Sequence, residues 1–184
     1  MSSDRKRLSK FLAVMLRHKP EQFGLTLDAH GFAPLEPVWR AIEDKYGGRY
    51  TYDDLEAVVA GDATGKKRYE IIGDRIRAMY GHSHVREIVY PPVQPPQTLF
   101  HGTHATAAAA IRQQGLMALG RQYVHLTTNR TNALNVAKRR TPAPVLLVVQ
   151  AQAAHAAGYV FHQPEAEHYL TRQVPPSFIT FPDD

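Results

Sequence analysis

Five basic and polar constellations carry the chemistry this sequence could do. Leu16-Arg17-His18-Lys19-Pro20 places a guanidinium and an imidazole side by side. Arginine presents a planar fork of donors that matches phosphate oxygens. Histidine donates to the same phosphate when charged, or moves a proton. The same cations would also complement the negative end of a helix. A second basic run, Lys66-Lys67-Arg68-Tyr69, suits phosphate contacts or a solvated face. Arg75-Ile76-Arg77 is followed by Gly81-His82-Ser83-His84, where histidine and serine can bond to phosphate or sugar, or simply form a turn. Further on, His101-Gly102-Thr103-His104 reads as a strand-loop-helix element with glycine at the turn, a place to hold an anion or dinucleotide. It is neither a Rossmann fingerprint nor a P-loop. Arg121 lies in a loop just ahead of Val124-His125-Leu126-Thr127, within reach of a strand edge.

The elements that must position these groups follow from periodicity. Leu8, Phe11, Leu12, Met15 and Leu16 share one helical face, which predicts a helix over residues 8–17, stopped by Pro20. Leu25-Thr26-Leu27 reads as a short alternating strand turned by Asp28-Ala29-His30-Gly31. A second helix is expected over 37–46 before Gly47-Gly48. Thr51-Tyr52-Asp53-Asp54 resembles a capping sequence for a third, ending near Gly61. Residues 69–72 and 75–79 predict a hairpin across Gly73-Asp74. Pro91-Pro92-Val93-Gln94-Pro95-Pro96 marks a boundary, because such a stretch cannot pair as a central strand and favours a stiff, extended connection. Beyond it, strands are expected at 98–100, 124–126, 145–150, 159–161 and 168–170, with helices over 106–114 and 129–140. The expected class is α+β.

Composition limits what the whole can be. The chain has 184 residues, 43% hydrophobic and 21% charged, the balance of a folded globular protein. Its net charge is +5, with ten histidines besides, which favours phosphate-bearing partners. The absence of cysteine excludes disulfides, thiol catalysis and cysteine-ligated zinc, and agrees with a reducing cytoplasm. The basic start and the apolar run Phe11 to Leu16 imitate a signal peptide, but Lys10 interrupts it and Arg17-His18-Lys19 follows without a cleavage site. No stretch approaches the roughly 20 apolar residues of a membrane helix. The histidines show no HExxH or other zinc spacing, and no metal is expected. The chain is expected to be soluble and cytoplasmic, without membrane association or an obligate protein partner.

Taken in order, these pieces resemble the RNA 2′-phosphotransferase family of NAD⁺-dependent enzymes, known from tRNA splicing. The matching stretches are Ser9-Lys10-Phe11-Leu12, Leu16-Arg17-His18-Lys19-Pro20, Lys66-Lys67-Arg68-Tyr69, Ile76-Arg77-Ala78-Met79-Tyr80-Gly81-His82-Ser83, His101-Gly102-Thr103, Gly115-Leu116, and Arg121-Gln122-Tyr123-Val124-His125-Leu126. The resemblance implies an N-terminal winged-helix RNA-binding lobe (1–90), a Pro-rich linker (91–97) and a C-terminal ADP-ribosyltransferase-like, NAD⁺-binding mixed α/β lobe (98–184), with the active site in the cleft between the lobes. Arg17, His18, Arg68 and Arg121 match the catalytic tetrad. His101, Gly102, Thr103 and His125 match NAD⁺-site positions, with Thr127 beside them, and Lys67, Arg77, His82 and Ser83 fall to the RNA.

The implied reaction has two steps. The RNA 2′-phosphate displaces nicotinamide from NAD⁺, giving a 2′-phospho-ADP-ribosylated RNA. The adjoining ribose hydroxyl then attacks the phosphate, releasing 2′-hydroxyl RNA and ADP-ribose 1″,2″-cyclic phosphate. The sequence departs from the family pattern at Tyr80, where glutamine is usual, at Thr127, where serine is usual, and at Ala166-Glu167-His168, where Asn-Gly-Val is usual. Two rival readings are an ADP-ribosyltransferase acting on terminal phosphates of nucleic acids and a non-catalytic winged-helix nucleic-acid binder.

Overall fold

The computed structural model describes residues 3–62, 67–83 and 88–182, in two compact units, 1–89 and 90–184. Lys66 and His84 lie outside the described residues.

In the first unit, helix α1 spans Ser3–Ala13 and continues into a π-helical turn, Val14–His18. The helix starts earlier than its apolar stripe because Asp4 sits in the first turn, where a carboxylate complements the helix dipole. Leu8, Leu12, Met15 and Leu16 are fully buried. The π turn closes with Lys19 N–H donating to the Val14 carbonyl at 2.9 Å, and such widened turns recur at functional sites. A 3₁₀ turn, Pro20–Phe23, follows and ends at Gly24 in the left-handed region.

Leu25 and Leu27 are buried while Thr26 is exposed, yet no strand forms there. The Leu25 N–H donates to Pro20 instead, and Asp28 accepts from the amides of His30 and Phe32. The strand comes after that turn, as β1 (Phe32–Pro34). Helix α2 (Leu35–Tyr46) ends on Gly47 in the left-handed conformation, and α3 (Tyr52–Ala60) begins with a reciprocal Thr51–Asp54 capping box. Strands β2 (Tyr69–Ile72) and β3 (Arg75–Ala78) form the expected hairpin, with β1 against β3 in the order β1-β3-β2. Val38, Ile42, Leu55, Val58, Tyr69 and Ile76 complete the core.

The second unit is built on seven antiparallel strands in the order β12-β8-β5-β7-β10-β9-β4. These are β4 (Pro92–Val93), β5 (Leu99–His104), β7 (Val124–Thr127), β8 (Pro144–Val149), β9 (Phe161–Glu165), β10 (His168–Thr171) and β12 (Ile179–Thr180). Strand β6 (Leu116–Met117) pairs separately with β11 (Gln173–Val174). Helices α4 (Ala105–Gln114), α5 (Arg130–Ala137) and α6 (Ala151–Ala156) complete the unit. The proline-rich stretch enters the sheet only at its edge, the position proline tolerates. The strand expected at 159–161 begins later, because the Tyr159 amide is tied to Ala154 at the end of α6. Leu99, Leu126, Leu147, Val149 and Phe161 form the buried centre. Taken together the chain is α+β, and among the described residues no helix is long and apolar enough to cross a membrane.

Candidate functional site

In the first unit, the end of α1 meets the entry and exit of the hairpin. The Ser83 N–H donates to the Arg17 carbonyl at 2.9 Å, and Ser83 Oγ lies 2.7 Å from His18 Nδ1. Arg17 Nη2 donates to the Arg68 carbonyl at 3.4 Å. Arg17, His18, Arg68 and Ser83 therefore form one connected group. Gly81, at φ 88, takes a backbone conformation that favours glycine, and an added Cβ there would touch Arg17 Nη1 at 3.5 Å, an ordinary contact.

The cations here are held in different ways. Arg68 pairs with Asp62 at 2.9 Å, with side-chain exposures of 31% and 18%. Arg77 bonds to Glu70, donates to the His30 carbonyl and lies over Phe32 at 4.5 Å. Arg17 has no carboxylate within ion-pair distance among the described residues, and its buried Nε finds no hydrogen-bond partner. Its guanidinium lies 5.4 Å from the centre of the Tyr69 ring and 5.2 Å from that of Tyr80. His82 is buried, 3% exposed, and its pKa is pushed down to about 3 by burial, then by the charges of Arg17, His18 and Arg77. It is a neutral group beside the cations. Lys67 is exposed, and its carbonyl accepts from the Tyr80 hydroxyl at 3.4 Å.

In the second unit, His101-Gly102-Thr103-His104 is strand, not loop, and this corrects the sequence reading. Each residue pairs with β8, His101 opposite Leu147 and Gly102 opposite Leu146. Gly102 is required by packing, since a Cβ there would stand 2.0 Å from the Ala133 carbonyl oxygen of α5. His104 caps α4 by accepting the Ala107 amide at 3.4 Å. Alternation along the strands divides the expected residues between two faces. His101 and Thr103 share the face of Leu126 and Leu147, while Gly102, His125, Thr127 and His168 share the other.

His101 lies 3.0 Å from the His125 carbonyl, and burial holds its pKa below the ordinary value, the carbonyl opposing. A carbonyl only accepts, so Nδ1 of the neutral ring carries the proton and Nε2 the lone pair. His125 Nδ1 lies 2.8 Å from His168 Nε2. Thr127 Oγ1 accepts from the Asn129 amide at 3.1 Å. Arg121 is exposed in the bend ahead of β7.

Among the described residues, no three His, Asp or Glu side chains converge as metal ligands. Sequence reasoning gave no role to Asp62 as the partner of Arg68, to Tyr69 and Tyr80 beside Arg17, or to His168 beside His125. Each of these contacts joins separate segments and leaves no local spacing to read.

Comparison with known proteins first gives a class, that of the transferases. A sequence profile described as RNA 2′-phosphotransferase, Tpt1 / KptA family, matches residues 3–173. The chain belongs to this family. It is 44% identical over 183 residues to a probable RNA 2′-phosphotransferase of Pseudomonas aeruginosa, covering 96% of this chain and 98% of the relative. A Streptomyces griseus protein of the same description is 39% identical over 182 residues, covering 94% of each chain. One from Acetivibrio thermocellus is 37% identical over 179 residues, covering 97% of each.

Proposed function

We propose that this chain transfers an internal 2′-phosphate from RNA to NAD⁺ and leaves a 2′-hydroxyl. The observation that supports this best is the Arg17 group, a partly buried guanidinium with no carboxylate to neutralise it among the described residues, joined to His18, Ser83 and the Arg68 main chain. A cation held out of water without a counter-ion favours an anion that brings its own charge and acceptors.

Arg17 and His18 grip the 2′-phosphate, with Ser83 fixing the imidazole. Arg68 and Arg121 stabilise the charge that develops as the phosphate is transferred. Lys67, Arg77 and His82 fall to the RNA side, His82 as a neutral support beneath the cations. On this reading the first unit is a winged-helix RNA-binding lobe, to which its three helices and hairpin conform. The second is an ADP-ribosyltransferase-like lobe that takes NAD⁺.

One member of the matched set in the second unit suits that ligand directly. Neutral His101 offers a lone pair to a ribose hydroxyl, and His125 and Thr127 stand on the opposite face near α5. NAD⁺ supplies a ribose carbon bearing a leaving group and a hydroxyl beside it. No metal is assigned a role.

The test incubates the purified chain, with chelator, NAD⁺ and a short RNA bearing one internal 2′-phosphate, against an RNA lacking it. Formation of 2′-hydroxyl RNA with ADP-ribose cyclic phosphate supports the reading. Survival of the 2′-phosphate without nicotinamide release leaves a nucleic-acid binder, and ADP-ribosylation confined to terminal phosphates leaves the other rival. Arg68→Ala should accumulate ADP-ribosylated RNA, whereas loss of RNA affinity alone would place Arg68 in binding.

A further inference from the structure

We propose that Tyr80 is the positioning residue of Arg17, holding the guanidinium by its ring so that the donor fork stays available to phosphate. The inference rests on the reading of Arg17 as the phosphate grip. In this unit Arg40, Arg49, Arg68, Arg75 and Arg77 are each held by a carboxylate, from Glu36, Asp4, Asp62, Asp28 and Glu70 respectively. Arg17 is held otherwise. Two tyrosine rings lie within 5.4 Å of its guanidinium, which donates one long hydrogen bond, to the Arg68 carbonyl.

The difference has a chemical consequence. A carboxylate orients an arginine by occupying the in-plane N–H groups, which are those a phosphate needs. An aromatic face attracts the cation through its quadrupole and occupies none of them. Tyr80 is suited to this work because it is itself fixed. It is 7% exposed, and its hydroxyl donates to the Lys67 carbonyl, in the segment that leads to Arg68. Tyr69 is anchored likewise, by its hydroxyl to the Ser9 carbonyl at 2.5 Å. Tyr80 thus ties the place of Arg17 to the strand entry that carries Arg68.

The experiment compares Tyr80→Leu and Tyr80→Phe by two readouts. The first is steady-state kinetics on 2′-phosphorylated RNA. Tyr80→Leu should raise the KM for that RNA about tenfold, the scale of a partly desolvated cation–π contact, with the KM for NAD⁺ unchanged. Tyr80→Phe keeps the ring and should restore the RNA KM to within about twofold. The second readout needs no turnover. The Arg17 Nε–H resonance, assigned by its loss in Arg17→Lys, should be ring-shifted and slow to exchange in the parent and in Tyr80→Phe. In Tyr80→Leu it should keep only the part of the shift that Tyr69 supplies and should exchange faster, and a titration with inorganic phosphate should weaken in step.

An unchanged RNA KM with an unchanged Arg17 signal in Tyr80→Leu overturns the proposal. So does an effect confined to kcat or to the NAD⁺ KM. If Tyr80→Leu does not fold, Tyr80→Met fills the same space without a ring and carries the same expectations. If the parent shows no phosphate transfer, the functional reading fails, while the resonance and the phosphate titration still decide the role of Tyr80.

Discussion

On the proposed reading the two units meet different recognition problems with different physics. Around Arg17 the first unit keeps charge, a guanidinium that no carboxylate among the described residues pairs with, beside His18 and an ion-paired Arg68. On its central strands the second unit keeps neutral polarity, with His101 bonded to a carbonyl and His125 bonded to another imidazole. Charge is the answer to a phosphate dianion. Fixed neutral donors and lone pairs are the answer to hydroxyls and amides, where an unmatched charge would cost more than it returns. The comparison teaches that ionic strength should separate the two sites. The KM for 2′-phosphorylated RNA should climb steeply with salt and that for NAD⁺ much less.

The largest expected effect breaks the charged side. Arg17→Ala should lower kcat/KM on 2′-phosphorylated RNA by about 10²–10³-fold, the scale of removing one donor that faces developing charge. Arg17→Lys should recover little of it, because a lysine point charge lacks the fork. A loss under tenfold for Arg17→Ala in steady-state assays would remove Arg17 from the centre of the site.

On the other side, the first thing to break is packing. A Cβ at position 102 would collide with the Ala133 carbonyl, and backbone cannot yield as a side-chain tip does. Gly102→Ala should therefore cost about 3 kcal/mol of stability, the upper end for overpacking, read as a fall in Tm. If Tm holds and only the NAD⁺ KM rises, the glycine serves the ligand rather than helix α5.

The same residue shows where the sequence was legible and where it was not. Helices α2 and α3 could be read from Gly47, Thr51 and Asp54, because caps are local chemistry. So could the hairpin, from Gly73-Asp74 between apolar runs. Gly102 reads as a turn, yet its reason is a helix 31 positions further along the chain, and no local rule reaches that far. Leu25 and Leu27 alternate as a strand would, but burial without a partner strand produces the same pattern. At the site, the residue types of the Arg17 group were visible. What holds each cation, Asp62 for Arg68 and the tyrosine rings for Arg17, appears only once distant segments meet.

Acid should strain the first unit through His82. The unfolded chain takes up a proton near pH 6.5, whereas the folded one resists until about pH 3. Stability is therefore complete above pH 6.5 and falls as the pH drops toward 3, by about 2 kcal/mol at pH 5. His101, shifted in the same direction, acts with the same sign in the second unit. Denaturant unfolding between pH 7 and pH 5 measures this, and His82→Gln should flatten the slope. Equal slopes in parent and variant would show that His82 is not held neutral.

The smallest effect sharpens the neutral side. The His125–His168 contact at 2.8 Å needs a proton on one nitrogen and a lone pair on the other, so it orients His125 and leaves at most one ring of the pair charged. His168 stands in the Ala166-Glu167-His168 segment, whose Glu167 accepts from the side-chain amides of Asn129 and Asn132 at the start of α5. The segment therefore joins the imidazole pair to the helix that packs on Gly102. His168→Phe keeps a ring and removes the hydrogen bond. It should raise the KM for NAD⁺ about three- to tenfold, the scale of one hydrogen bond lost between part-buried groups, and leave the KM for RNA unchanged. His168→Gln, which can still donate or accept, should recover part of the loss. With both rings neutral, the ratio of the two variants should not change with salt. A salt-dependent ratio would mean that the pair carries charge, and the contrast between the two units would then fail at this position.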